Sequence, residues 1–183
     1  DVIGFTTSDS VGSYGLEEYY NDVLSGTSGR EYGYLNDDSN LERTTIPAED
    51  GNSIVTTIDI NIQRIVEKYL AKFDEEFRDQ FHEGNGANNV GAIVMDVDTG
   101  GVLAMASSPV FDLNDTRNTD ALLGMRLLDK EGKKTQEYIN EQNVRTLEQD
   151  ADALYQKLNA LWKNFCISDT YEPGSVAKPF TVA

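Results

Sequence analysis

The sequence predicts an α/β (α+β) fold on three observations. β-Branched or apolar runs at residues 54–58, 90–97 and 102–106 are strand signals, each bounded by polar or glycine-containing turns. Between the first two runs, apolar residues at 62, 65, 66, 69, 70, 73, 77 and 81 recur at helical spacing. Further on, Val144, Leu147, Ala151, Leu154, Leu158 and Leu161 alternate three and four apart, the spacing of a heptad seam.

Taken in order, the first 36 residues are rich in glycine, serine and tyrosine, so turns are expected there. Within them Leu16, Tyr19, Tyr20, Val23 and Leu24 have helical spacing and Gly26 supplies a stop, which predicts a short packed helix. Residues 36–53 are polar, contain Pro47 and Gly51, and read as a connection. Ile54 to Ile58 reads as a strand, and Asp59 as the cap of the long helix that follows. That helix should be core-facing and end at Gly84-Asn85-Gly86. Tyr69, Phe73, Phe77 and Phe81 lie on its stripe and are assigned to packing, and His82 to a helix-end cation.

Val90 to Val97 and Val102 to Ala106 should pair as a hairpin through Asp98-Thr99-Gly100-Gly101. Asp96 and Asp98 flank that turn, which favours solvated turn residues over a catalytic carboxylate pair. Ser108-Pro109 and the Asn/Asp-rich stretch 112–120 form a loop, and two helical patterns follow, the second being the seam. The seam could pack within the chain or on a partner, and because amphipathic helices usually cover cores it is expected to pack within the chain. Cys166 cannot form an internal disulfide and reads as a small buried hydrophobe.

Composition excludes several functions. A formal charge of -17, from 32 acidic and 15 basic side chains, opposes direct binding to nucleic acid or to an anionic membrane surface. No apolar run approaches the roughly 18 residues a bilayer span requires, and no clustered metal ligands are visible. Asp1 is not an initiator methionine and Thr181-Val182-Ala183 lies in an apparently young helix, so the chain reads as a fragment.

The chemistry concentrates in Tyr171-Glu172-Pro173-Gly174-Ser175-Val176-Ala177-Lys178-Pro179-Phe180. Pro173 and Gly174 permit a sharp change of direction that lifts Ser175 onto a helix start. Lys178 then lies one turn on, on the same face. A serine hydroxyl needs a neighbour to take its proton, and a lysine can do so only when neutral; partial burial, nearby positive charge and a helix N-terminus favour that state. The backbone N–H of Ser175 would be one oxyanion donor. Ser-x-x-Lys alone is weak: a chain this long should hold about one chance match, and a capping serine beside a solvated lysine gives the same string.

The longer string resembles the nucleophile segment of class B penicillin-binding proteins, the peptidoglycan DD-transpeptidases. Gly12 to Gly29 is similar to the pedestal segment preceding their catalytic domain. Gly91 to Ser107 resembles the first two strands of the transpeptidase sheet, with Gly101 where an acidic residue is frequent, and Thr56 to Asp59 with Gln63 resembles the start of its first helix. The resemblance implies a transpeptidase or serine β-lactamase-like fold, incomplete here. It divides the chain into a pedestal segment and linker at 1–53 and the N-terminal portion of the transpeptidase domain at 54–183, with a helical insert at about 119–161.

It further implies Ser175 as nucleophile and Lys178 as proton acceptor, with no metal or organic cofactor. Stem peptides of peptidoglycan would be substrates, β-lactams would acylate the same serine, and cell-wall synthesis proteins would be possible partners. The parent would sit on the outer face of the bacterial cytoplasmic membrane, touching it only through an anchor not contained in these residues. The family's SxN and KTG motifs do not follow Ser175, so the chain alone is expected to be inactive and to expose apolar faces. A β-lactam sensor domain, an SxxK β-lactamase or a non-catalytic interaction module remain alternatives.

Overall fold

The computed structural model describes residues 2–7, 9–35, 41–80 and 83–182. Its elements in order are β1 (Phe5–Thr6), β2 (Gly12–Ser13), α1 (Gly15–Tyr19), α2 (Asn21–Leu24), β3 (Arg30–Leu35), β4 (Leu41–Ile46), α3 (Ile60–Glu76), β5 (Val90–Met95), β6 (Val102–Ser108), a 3-10 turn (Thr119–Leu122), β7 (Arg126–Leu128), β8 (Lys134–Tyr138), α4 (Asn143–Leu147), α5 (Ala151–Trp162), α6 (Phe165–Ser168), a second 3-10 turn (Gly174–Ala177) and α7 (Lys178–Val182). The strands pair as four antiparallel hairpins, β1-β2, β3-β4, β5-β6 and β7-β8.

The β5-β6 hairpin forms where the sequence predicts it, with a β-bulge between Val94 and Met95. Side chains of a strand alternate between faces, and two contacts identify what covers each. Ser108 Oγ donates to Asp74 of α3, so the face carrying Ala104 and Ala106 lies under that helix. Both alanines are almost fully buried, and their small side chains let the helix approach closely. On the other face Asn164 Nδ2 lies 3.2 Å from Met105 Sδ, and the thiol of Cys166 in α6 donates to Ala106 O at 3.4 Å. Further along that face Ile93 and Met95 stay 46% and 54% exposed.

The outer edge of β6 is satisfied without a third strand. Gln63 acts as a one-residue strand partner, donating from Nε2 to Met105 O at 3.0 Å and accepting from Met105 N–H at 2.9 Å. Asp59 N–H donates to Leu103 O at 2.8 Å and Thr57 Oγ1 to Val102 O at 2.7 Å. Pairing these groups protects an edge that would otherwise invite strand addition.

The core lies elsewhere. Leu122, Met125, Ile139, Leu158, Leu161 and Trp162 form one buried cluster between the 3-10 turn, β7-β8 and α5, with Val144, Leu147 and Leu154 packed at its margin. Trp162 stacks edge-on with Phe5 and Tyr14, at ring-centre distances of 5.1 and 5.5 Å, and its Nε1 donates to Thr116 O at 2.8 Å. Tyr14 also hydrogen-bonds Asn159 through its hydroxyl. The seam therefore packs within the chain, as expected, through α4 and α5.

Several expectations are corrected. The short helix is two, α1 and α2, broken at Tyr20, and Tyr19 is 79% exposed rather than packed. The glycine-rich stretch and supposed connection hold β3 and β4, whose residues Tyr32↔Thr44 and Glu31↔Thr45 pair. Their aromatic and β-branched residues suit a ladder, but the described side chains at 30–34 and 42–46 are all exposed, so no burial imposes on them the apolar alternation that marks a strand. Ile54 to Ile58 forms no strand: it runs beside β6 with the isolated bonds above, and Val55 is 98% exposed.

The long helix is capped by Asp59, whose carboxylate accepts from Asn61 N–H at 2.8 Å and Ile62 N–H at 3.2 Å, but it ends at Glu76. Its inner face is Ile62, Val66, Leu70 and Asp74, while Ile65 and Tyr69 are 56% and 64% exposed, so the apolar stripe is wider than the buried one. Phe81 and His82 lie outside the described residues. The segment 119–161 is not wholly helical, because β7 and β8 occupy its first half. There Asp129 and Gly132, with φ at +78° and thus in glycine's left-handed region, turn the chain back.

Candidate active site

Asn164 caps α6 by accepting from Cys166 N–H at 3.0 Å, and the chain is irregular from Asp169 to Pro173. Gly174 then takes φ +58°. A residue with a Cβ would be strained there by about 1–2 kcal/mol, although no atom lies within 4 Å of the place that Cβ would take. The backbone reversal that the Pro-Gly pair predicts is present.

Beyond it, Gly174–Ala177 forms a 3-10 turn that passes into α7 at Lys178. The expected helix thus opens one residue earlier and in tighter form. Lys178 N–H donates to the carbonyl of Ser175, and in a 3-10 turn residues three apart eclipse one another. The backbone therefore stacks Ser175 and Lys178 on one face. Both are exposed, and among the described residues no hydrogen bond joins their side chains. Tyr171, Val176 and Phe180 around them are 76%, 74% and 89% exposed.

Other candidates resolve into structural roles. Asp96 accepts from Thr99 Oγ1 at 2.7 Å and from Asp98 N–H at 3.0 Å, and these bonds, Thr99 first, lower its carboxyl below the usual range. It is a turn residue of the hairpin. Cys166 is half-buried and burial pushes its thiol up, away from the reactive thiolate. Among the described residues no group of acidic, His or Cys side chains could hold a metal ion. Pattern reading does not give the positioning roles of Gln63, which pairs with the backbone edge of β6, and of Asp74 on the inner face of α3: polar residues become legible there only when their strand partners are known.

Residues 90–183, more than half of the chain, match the penicillin binding protein transpeptidase domain, and the chain belongs to that family. It is 30% identical over 115 residues to the peptidoglycan D,D-transpeptidase MrdA of Escherichia coli K12, covering 62% of this chain and 16% of that protein. With MrdA of Haemophilus influenzae it shares 29% identity over 178 residues, 96% of this chain and 21% of the relative. With the probable peptidoglycan D,D-transpeptidase PenA of Neisseria gonorrhoeae it shares 27% over 188 residues, 100% of this chain and 24% of the relative. The chain thus spans a quarter or less of the length of these relatives. Among solved structures it is similar to penicillin binding protein 2X of Streptococcus thermophilus, with TM-score 0.45 and 28% identity over 56% of this chain and 14% of that one.

Proposed function

We propose that the chain carries the nucleophile segment of a peptidoglycan D,D-transpeptidase, with Ser175 as nucleophile and Lys178 as its proton acceptor. The observation that carries this reading is the family match over 90–183 that includes a serine and a lysine stacked through one helical turn. Neutral Lys178 Nζ takes the Ser175 hydroxyl proton as Oγ bonds to the carbonyl carbon of the penultimate D-alanine of a stem peptide. The tetrahedral oxyanion collapses, the C–N bond to the terminal D-alanine breaks, and the leaving amine receives the proton. An amine of a second stem peptide then displaces Ser175 from the ester, forming the cross-link and returning the proton to the serine oxygen. No step calls for a metal or organic cofactor. β-Lactams would be attacked at the lactam carbonyl by the same atom.

Residues 1–53 are assigned to a pedestal segment and linker and 54–183 to the N-terminal portion of the catalytic domain. The proposed site of action is the outer face of the bacterial cytoplasmic membrane. Among the described residues no helix is long and apolar enough to cross a membrane. The 183 residues contain Ser-x-x-Lys and neither SxN nor KTG beyond it, so slow or absent acylation is expected of them in isolation.

Intact-mass analysis after incubation with a penicillin tests the assignment in this chain and in the full-length protein, each with Ser175→Ala. A penicilloyl adduct on Ser175 of the full-length protein, absent from Ser175→Ala, is expected. No adduct there, or an adduct that survives the substitution, sinks the nucleophile assignment. A stable adduct on the 183 residues alone would overturn only the expectation that they are inactive.

A further inference from the structure

A second site lies away from Ser175, where basic side chains gather in a chain whose net charge is -17. Lys134, Lys157 and Lys163 line one cavity of about 160 Å³ between β7-β8, α5 and the start of α6. Such a space holds several non-hydrogen atoms, since one water occupies about 30 Å³ in the liquid. Lys157 is 3% exposed, and its Nζ donates to Arg126 O at 2.6 Å. An ammonium has three donors, and among the described residues the other two have no partner.

No carboxylate neutralises this group: among the described residues neither Lys157 nor Lys134 makes a salt bridge. Asp169 lines the same cavity without pairing to either. Asn89, with its amide oriented by its neighbours, accepts from Lys134 Nζ at 3.0 Å, which holds the second ammonium at the cavity wall. Lys157 also borders a second cavity lined by Asp129, Asp150 and Asp152, and none of these carboxylates comes within ion-pairing distance of it among the described residues, so its burial beside a second ammonium is unfavourable.

We propose that this cavity binds a small organic carboxylate, its head on Lys157 and Lys134. Met125, Leu161 and Phe165, within a wall that also carries Ser107 and Asp169, supply an apolar surface for a short aliphatic stem. That amphipathic lining matches a carboxylate on a carbon chain better than a bare phosphate, whose oxygens would face three apolar side chains. Arg126 also lines the cavity, and its guanidinium is held there by donating to the Tyr138 hydroxyl at 3.1 Å and to Thr135 O at 3.4 Å and by lying over the Tyr138 ring.

The test is calorimetric titration of the full chain with sodium propionate in chloride buffer, with sodium phosphate as a parallel arm, while the ¹⁵Nζ resonance of Lys157 is followed. Saturable one-to-one propionate binding that shifts this resonance is expected. Lys134 is exposed, so Lys134→Gln leaves the fold intact and should weaken binding about fivefold. Lys157→Met should abolish it. Absence of saturable propionate binding, unchanged affinity in Lys134→Gln, or phosphate binding more tightly than propionate overturns the proposal.

Discussion

The insert core and the Ser175 segment are opposites within one chain. Around Leu122, Ile139 and Trp162 nearly every apolar side chain is buried, and the aromatic rings of Phe5 and Tyr14 reach in from the far end of the sequence. From Asp169 to Val182 only Ala177 is even partly buried, although the segment carries valine, phenylalanine and tyrosine. Stability and proposed chemistry are thus carried by different residues. The reactive turn owes its shape to local backbone rules, a glycine at positive φ and a 3-10 hydrogen bond, and not to packing.

The contrast predicts, first, that the largest stability losses fall in the insert. Trp162→Ala removes a 4%-exposed ring, its edge contacts with Phe5 and Tyr14 and its bond to Thr116 O. It should cost about 3–5 kcal/mol in urea unfolding. A loss under about 1 kcal/mol would mean that the insert is not the centre of stability.

Next in size is an electrostatic term within the same core. Burial, and then the charge of Lys134, lower Lys157 to about 8. Between that value and the unfolded 10.5 the unfolded chain binds the extra proton, so stability should rise as pH increases through 8 and upward. Below about 8 both states are protonated and this contribution is flat. The full shift corresponds to roughly 3 kcal/mol. Lys157→Met should flatten the rise between pH 8 and 9.5 and be the more stable chain at pH 7. Around the lysine, Asp129, Asp150 and Asp152 line the neighbouring cavity and Asp169 the first, so the difference between the two chains, rather than either curve, isolates Lys157. A stability that falls across this window in the native chain relative to Lys157→Met would reverse the sign and refute a buried, uncompensated ammonium.

What could be read in advance divides along the same line. The β5-β6 hairpin, the Asp59 cap, the seam and the Pro-Gly reversal before Ser175 are local signals, a turn, a cap, a period and a φ requirement, and each is present in the structure. The β3-β4 hairpin is not legible because its ladder is held by backbone pairing while its side chains at 30–34 and 42–46 are exposed and impose no alternation. β7 and β8 escape a periodic reading because Leu122 at the end of the 3-10 turn, Met125 just before β7 and Ile139 just after β8 meet in one core, a coincidence in space that no period records. Lys157 was invisible for a related reason: a lysine on an amphipathic helix reads as solvated until the strand beneath it supplies a carbonyl.

The smallest expected effect bears most directly on the exposed turn. Val176→Ser and Phe180→Ser alter residues that are 74% and 89% exposed, so each should change the unfolding free energy by no more than about 0.5 kcal/mol. Gly174 controls for the reverse case, because a side chain there would be penalised by its φ of +58° even in open space. If the two serine variants are as destabilised as Trp162→Ala, the segment packs against an apolar surface, and the exposed Ile93 and Met95 on the free face of β5-β6 are the candidates. If they are neutral, the turn around Ser175 and Lys178 holds its geometry by backbone alone, and the apolar residues beside it contribute nothing to the stability of these 183 residues.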